Sequence, residues 1–127
     1  MIFDTDILIS VHRGHRGAAD FVNLVPTQQR NLSVISYLEL LYGCHDGNDL
    51  RKAQSMVEDL FAVVVSIDET ISTTAARIME SFVLAHRLDI SDAFIAATAL
   101  QRHEPLATGN QKHFRFIPGL ELKTFRP

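Results

Sequence analysis

The sequence has one cysteine, no tryptophan, four prolines and six glycines. A single cysteine, Cys44, excludes an internal disulfide framework and a zinc site made of several cysteines. So little glycine and proline excludes a linker-rich or collagen-like chain, and no repeat or low-complexity tract is present. The remaining composition, 46% apolar and 21% charged, is typical of a globular protein. A length of 127 residues predicts one domain, spanning residues 1–127.

Long apolar runs and an excess of basic charge are also missing. No run approaches the roughly 18–20 apolar residues that span a bilayer. The start, Met1-Ile2-Phe3-Asp4, lacks the basic and apolar segments of a secretory signal. The net charge of −3 excludes a strongly basic duplex-binding module, although it does not exclude an enzyme that binds nucleic acid through a metal. We expect a cytoplasmic protein without a membrane partner.

Short apolar segments alternate with segments whose apolar residues recur at helical spacing. Strands are predicted at Ile2–Phe3, Leu32–Ile35, Ala62–Ile67, Pro105–Thr108 and Leu120–Phe125. Helices are predicted at residues 17–25, after Ser36, at 49–60, from Asp68 to residue 86, and at 92–102 with Ser91 as cap. The continuous β-branched run at Ala62–Ile67 predicts burial on both faces. The alternation predicts an α/β fold with a central, mainly parallel sheet of about five strands flanked by helices.

Two acidic segments have both a structural and a functional interpretation. Asp4-Thr5-Asp6 follows the first strand, so Asp4 either caps a helix or presents a carboxylate beyond the carboxyl end of the sheet, where ligands bind in such folds. Glu39 lies three residues after Ser36 and could complete a capping box. It is also flanked by apolar residues, which is consistent with a carboxylate directed at a cation.

Two further segments carry polar groups near predicted element ends. Asp92 heads the most apolar helix of the chain, where an acid also favours the helix dipole, and Asp89 lies three residues earlier. Thr108, Asn110 and His113 follow the fourth strand, as a polar turn or as a loop facing a shared pocket. The remaining histidines show no metal-ligand spacing, and Cys44 is interpreted as a small helix residue.

Taken together, these segments resemble the PIN domain family, and within it the VapC-type toxin ribonucleases of toxin–antitoxin pairs. The resemblance covers nearly the whole chain. It rests on the strand followed by Asp-Thr-Asp, on Ser-x-x-Glu-Leu, on Asp-Ala-x-Ile-Ala-Ala-Thr-Ala-Leu from Asp92, and on Thr-x-Asn-x-x-His-Phe from Thr108. It implies that Asp4, Glu39 and Asp92 are the catalytic acids and metal ligands. Many members have a fourth acid where this chain has His113.

The resemblance implies a metal-dependent endoribonuclease, using Mg²⁺ or Mn²⁺, that cleaves RNA and is inhibited by an antitoxin protein. Clustered carboxylates repel one another and take up protons, and a divalent cation with oxygen ligands removes that repulsion. Groups that orient the ligands or contact substrate would then be Asp6, Asp89, Thr108, Asn110 and His113.

The sequence leaves two alternative functions open, and it also raises the question of the oligomeric state. The first alternative is a PIN-like module that binds RNA or a partner without cutting. The second is a receiver-type signalling domain with Asp68 as phosphoacceptor, although this chain has no Lys-Pro turn. We also expect a homodimer. The apolar residues predicted to form its exposed contact surface are Met56, Val57, Leu60, Ile78, Met79, Phe82 and Val83.

Overall fold

A computed structural model describes residues 1–126 and contains one sheet of five parallel strands. The strands are β1 (Ile2–Phe3), β2 (Asn31–Ser33), β3 (Val63–Val65), β4 (Leu106–Thr108) and β5 (Leu122–Thr124). Their order across the sheet is β3-β2-β1-β4-β5, and every neighbouring pair is parallel. The predicted α/β class with a parallel five-stranded sheet is therefore confirmed, and the first strand of the chain is the central one.

Six α-helices cover the two faces of this sheet. They are α1 (Thr5–His12), α2 (Arg16–Asn23), α3 (Val34–Tyr42), α4 (Gly47–Leu60), α5 (Glu69–His86) and α6 (Ile90–Arg102), with single 3₁₀ turns at Thr27–Gln29 and Gln111–His113. Successive strand residues point to opposite faces. Ile2 accordingly packs in the core formed with α5 and α6, whereas Phe3 packs in the core formed with α1, α2 and α4.

The predicted apolar helix is α6, and it lies in the centre of one layer. Ala93, Ala96, Ala97 and Ala99 are each at most 1% exposed, and α6 packs along α5. Side chains this small permit the close approach of a neighbouring helix or strand. This packing fixes the first turn of α6, which carries Asp92, relative to the sheet.

Two predicted helix caps are wrong. Helix α3 begins at Val34, and its cap is Ser33, whose hydroxyl accepts a hydrogen bond from the Ile35 amide, so Ser36 lies inside the helix. Helix α6 begins at Ile90 after Asp89, so Ser91 lies in its first turn. In α3, the β-branched residues Val34 and Ile35 suggest that the strand continues. The helix nevertheless starts there, because the Ser33 hydroxyl accepts a hydrogen bond from a free amide at the helix N-terminus.

The predicted burial of the third strand is also wrong. Strand β3 spans only Val63–Val65 and lies at the edge of the sheet, paired with β2 alone. Val63 is 43% exposed and Val64 37% exposed. A β-branched sequence favours a strand but does not determine whether that strand is central or at an edge.

Part of the predicted dimer surface belongs to the core of the monomer. Val57 is 5% exposed and Ile78 is 6% exposed, so neither is available to a partner. The large apolar side chains with more than half of their surface exposed are Leu24, Leu38, Tyr42, Leu84 and Ile90. Within residues 1–126, no helix is long and apolar enough to cross a membrane.

Candidate active site

Asp4 stands at the carboxyl end of the central strand and is only 5% exposed. Its Oδ1 accepts a hydrogen bond from the Thr5 amide at 2.8 Å, so the carboxylate caps α1. Its Oδ2 accepts a hydrogen bond from the Thr108 hydroxyl at 2.8 Å, across the junction of β1 and β4. Asp4 therefore caps α1, and the same carboxylate also lies at the carboxyl end of the sheet.

Glu39 is connected to this position through Thr5. The Thr5 hydroxyl donates to Glu39 Oε1 at 2.7 Å and lies 3.0 Å from the hydroxyl of Ser36, which is fully buried. Glu39 therefore does not form a capping box with Ser36, because both side chains are directed at the start of α1. We did not predict this role of Thr5 and Ser36. Two features of the sequence could have indicated it: Thr5 is a polar residue between two aspartates, and Ser36 lies one helical turn before Glu39.

Asp6 is held by the loop that follows β4. Its Oδ2 accepts hydrogen bonds from the Gly109 amide at 2.9 Å and from the Asn110 side-chain amide at 3.2 Å. The backbone amide of Asn110 in turn donates to the Thr108 hydroxyl at 2.9 Å. A Cβ atom at Gly109 would lie 2.6 Å from Asp6 Oδ2, so any other residue there would displace the Asp6 carboxylate from its present position. Gly109 could not be recognised from the sequence, because the side chain that it contacts belongs to a residue far away in the chain.

Asp92 and His113 face each other from α6 and the turn after β4. Asp92 Oδ2 lies 3.4 Å from His113 Nδ1, and the two side chains are 18% and 50% exposed. Asp89 is exposed beside them and makes no side-chain hydrogen bond to the helix it precedes. These residues line a cavity of about 190 Å³, whose other lining residues are His86, Arg87, Leu88, Lys112 and Phe116.

The acids of this region interact electrostatically. The pKa of Asp4 is raised from 3.8 to about 7. Burial is the largest cause, the nearby charges of Asp6 and Asp92 also raise it, and the hydrogen bond from Thr108 lowers it. Burial likewise raises the pKa of Asp92 to about 6, an effect that His113 opposes and that the charges of Asp89 and Glu39 reinforce. A cation bound near these carboxylates would favour their ionised form and so offset the effects of burial and mutual repulsion.

The acids of the site suit a hard divalent cation, because carboxylate oxygens are the ligands such a cation prefers. In the part of the chain that the structure describes, no three of these acids have oxygen atoms that all lie within 4.8 Å of one another. As they stand, these acids are spaced widely enough for water to lie between some of them and a bound ion. Mg²⁺ characteristically retains several waters, so the spacing is compatible with it.

The predicted site residues thus lie in one connected region. Asp68, the phosphoacceptor of the receiver-domain alternative, lies outside it. Asp68 is exposed, and its Oδ1 accepts hydrogen bonds from the Ile71 amide and the Thr70 hydroxyl at the start of α5. Through these bonds Asp68 caps α5, which is a sufficient structural role for an acid at this position. The structure therefore offers no support for the receiver-domain alternative.

The fold and site together define an α/β protein with a cluster of acidic side chains at the carboxyl end of its parallel sheet. The model of the PIN domain family matches residues 1–118. The chain belongs to the PIN domain family, which confirms the resemblance inferred from the sequence.

Individual relatives agree with this assignment. The chain is 30% identical over 130 residues to "Ribonuclease VapC1" of Rickettsia felis, with 98% of this chain and 95% of that protein covered. It is 27% identical to "Ribonuclease VapC1" of Methanocaldococcus jannaschii, with 98% and 86% covered. A solved toxin–antitoxin complex from Klebsiella pneumoniae contains a chain that is 28% identical with a TM-score of 0.81, covering 98% of this chain and 97% of that one.

Proposed function

We propose that this protein is a divalent-metal-dependent endoribonuclease and the toxin of a toxin–antitoxin pair. The observation that carries the proposal is the convergence of carboxylates from the end of β1, from α3 and from α6, with the raised pKa values of Asp4 and Asp92. The relatives named ribonuclease VapC1 and the similar chain of a toxin–antitoxin complex support the substrate and the biological role.

In this proposal Asp4, Glu39 and Asp92 hold the ion, directly or through water. Mg²⁺ suits the oxygen ligands, and Mn²⁺ is the alternative because His113 adds a nitrogen beside Asp92. When bound, the ion lowers the pKa of an attacking water and offsets negative charge on the phosphate. Thr108 and Asn110 orient Asp4 and Asp6 through the hydrogen bonds described above.

The wall of the pocket supplies contacts suited to a nucleic acid. Lys112 and Arg87 place positive charge beside the acids, where a phosphate group would be attracted. Phe116 stacks on His86 with ring centroids 3.8 Å apart and an interplanar angle of 1°. Phe116 is half-buried and lines the cavity, so it offers an edge for an unpaired base as well as packing in the core.

Incubation of the purified protein with single-stranded RNA tests the proposed reaction. We expect cleavage with Mg²⁺ or Mn²⁺ that leaves a 5′-phosphate and a 3′-hydroxyl, and no cleavage with EDTA. End-group analysis by gel electrophoresis and mass spectrometry measures both. RNA binding without cleavage in either metal would instead support the non-catalytic module.

The antitoxin is proposed to bind an apolar groove that leads to the acidic site. The groove has a volume of about 430 Å³. Its lining residues are Thr5, Ile9, Ile35, Leu38, Glu39, Tyr42 and Ser91. Leu38 is 53% exposed and Tyr42 is 94% exposed, so both offer apolar surface, while Glu39 offers a carboxylate to an arginine of the partner.

Leu38→Asp is expected to weaken inhibition by the cognate antitoxin by roughly 10- to 100-fold, the loss typical of a central interface residue. RNA cleavage should persist, because Leu38 lines the groove but is not one of the acids proposed to hold the ion. Leu24→Asp is the matched control, since Leu24 is 82% exposed and lines a different groove beside Phe125. Inhibition assays against antitoxin concentration measure the effect, and equal inhibition of both variants would place the interface elsewhere.

We also propose that the protein forms a homodimer through exposed apolar side chains at the turn between α5 and α6. Leu84 is 92% exposed and Ile90 is 64% exposed on either side of this turn. An isologous contact would bury both. Sedimentation should give twice the chain mass of 14.2 kDa, and Leu84→Glu should shift it to the monomer. A monomeric mass for the unmodified protein at micromolar concentration would contradict this.

A further inference from the structure

A second group of metal-binding side chains lies at the far end of α1 from the acidic site. It consists of His12 in the last turn of α1, Cys44 in the connection after α3, and Asp49 in the first turn of α4. Among residues 1–126, it is the one set of three or more such residues whose ligand atoms all lie within 4.8 Å of one another. Helix α1 has eight residues, so the two regions are separated by about 12 Å along its axis.

Local hydrogen bonds already hold these three side chains close together. His12 Nε2 lies 2.7 Å from Asp49 Oδ1, and the two side chains are only 12% and 28% exposed. Asp49 Oδ2 accepts a hydrogen bond from the His45 amide at 3.0 Å, which fixes the carboxylate. The Cys44 thiol has a single weak contact, with the Leu40 carbonyl at 3.4 Å. The sulfur is therefore held in place without a strong bond that a metal would have to replace.

The donor types select the kind of ion. One thiol, one imidazole and one carboxylate form a ligand set typical of Zn²⁺ and similar transition metals, whereas Mg²⁺ rarely accepts sulfur. Tetrahedral Zn²⁺ with bonds of about 2.0–2.3 Å holds its ligand atoms roughly 3.3–3.6 Å apart. The His12 Nε2–Asp49 Oδ1 distance of 2.7 Å would open by about 0.6 Å, and the sulfur, whose ligand partners all lie within 4.8 Å, would move inward by at most about 1.5 Å.

We propose that His12, Cys44 and Asp49 bind a transition-metal ion of the Zn²⁺ class, with water in the fourth position. On binding, the thiol releases its proton to solvent, and His12 Nε2 gives up the proton of its hydrogen bond to Asp49, so that the neutral imidazole carries its proton on Nδ1. Nε2 and the Asp49 carboxylate then each bind the ion. The site connects α1, the connection after α3, and α4. It is separate from the acidic pocket in both position and ligand chemistry, and it does not depend on the proposed ribonuclease activity.

Titration of the untagged protein with Co²⁺ tests this site. Because Cys44 is the only cysteine, a thiolate-to-cobalt charge-transfer band reports on this residue alone. We expect the band to saturate at one ion per chain, with the visible absorption intensity of a tetrahedral complex, and to disappear when Zn²⁺ is added. His12→Asn and Asp49→Asn should each weaken binding at least about tenfold, because loss of an outer partner of a ligand already costs that much.

Two control variants distinguish this site from other places where a metal could bind. His103→Asn removes an exposed histidine at the end of α6, and Asp92→Asn removes an acid of the other pocket. Neither should change the thiolate-to-cobalt charge-transfer band. Circular dichroism verifies that each variant is folded.

A second measurement uses the unmodified protein and needs no substitution. Zn²⁺ should slow alkylation of the Cys44 thiol at least about tenfold, because the bound thiolate is blocked, whereas Mg²⁺ should leave the rate unchanged. The proposal is overturned by any of three results: no thiolate band, saturation at one ion per two chains, or alkylation at the same rate with and without Zn²⁺. RNA cleavage enters none of these measurements, so their outcome is independent of the proposed function.

Discussion

Asp92→Asn is expected to reduce RNA cleavage at least about 100-fold, the upper loss seen when even an outer partner of a metal ligand is removed. Asp4→Asn and Glu39→Gln should have effects of the same size. Each substitution keeps the shape of the side chain and removes one negative charge from the region where the cation binds. Glu39→Gln also keeps an oxygen that can accept the hydrogen bond from Thr5. The rate of cleavage of a fluorescent RNA at saturating Mg²⁺ measures the loss.

The same three variants should relieve the growth arrest that expression of the unmodified protein causes in bacteria. Asp59→Asn is the control, because Asp59 is exposed on α4 and should leave both cleavage and toxicity unchanged. Retained toxicity in all three acid variants, with folding verified, would show that the carboxylates are not the metal-binding groups.

In EDTA, the protein is expected to become less stable as the pH rises from about 4 to about 7. The unfolded chain releases the proton of Asp4 near its ordinary pKa of 3.8, whereas burial in the folded protein raises that pKa to about 7. The folded state therefore binds more protons between these values, so this contribution to stability is complete below pH 4 and is lost by pH 7. A difference of about three pKa units corresponds to at most about 4 kcal/mol, and Asp92 adds an effect of the same sign up to about pH 6.

Urea denaturation at pH 5 and pH 8 measures this dependence. Asp4→Asn should reduce the difference between the two pH values, because the neutral amide has no proton to lose, and Mg²⁺ should stabilise the unmodified protein mainly at pH 8. The exposed control Asp59→Asn should retain the full difference. Equal free energies of unfolding at pH 5 and pH 8 in the unmodified protein would contradict the electrostatic description of the site.

The sequence predicted the fold class because its strands and helices alternate clearly and because α6 is apolar on almost every side. It did not reveal where elements begin when competing local signals overlap. Ser33 and Ser36 are both suitable caps, and the choice depends on the pairing of β2 with its neighbours, which fixes where the strand ends. The exposure of Val63 and Val64 likewise follows from the order of strands in the sheet, which no local pattern records.

The site was predicted from sequence only as far as its acids and the Thr108–His113 loop. The family pattern identified Asp4, Glu39 and Asp92, but the bonds that position them involve residues whose local roles appear ordinary. Thr5 looks like a helix cap, and Gly109 looks like a turn residue until its contact with Asp6 is known. His12 and Cys44 have no diagnostic spacing because the helices, rather than a motif, bring them to Asp49.

The hydrogen bond between Asp4 and Thr108 joins residues that are 104 positions apart in the chain. The central strand β1 is made before β2 and β3, whereas its other neighbour, β4, is made after both. During synthesis on a ribosome, Asp4 and Asp6 are therefore without the partners that orient them until the loop after β4 has emerged. A nascent chain that lacks this loop does not have the hydrogen bonds that hold its acidic site, so we expect cleavage activity to begin only after β4 has joined the sheet.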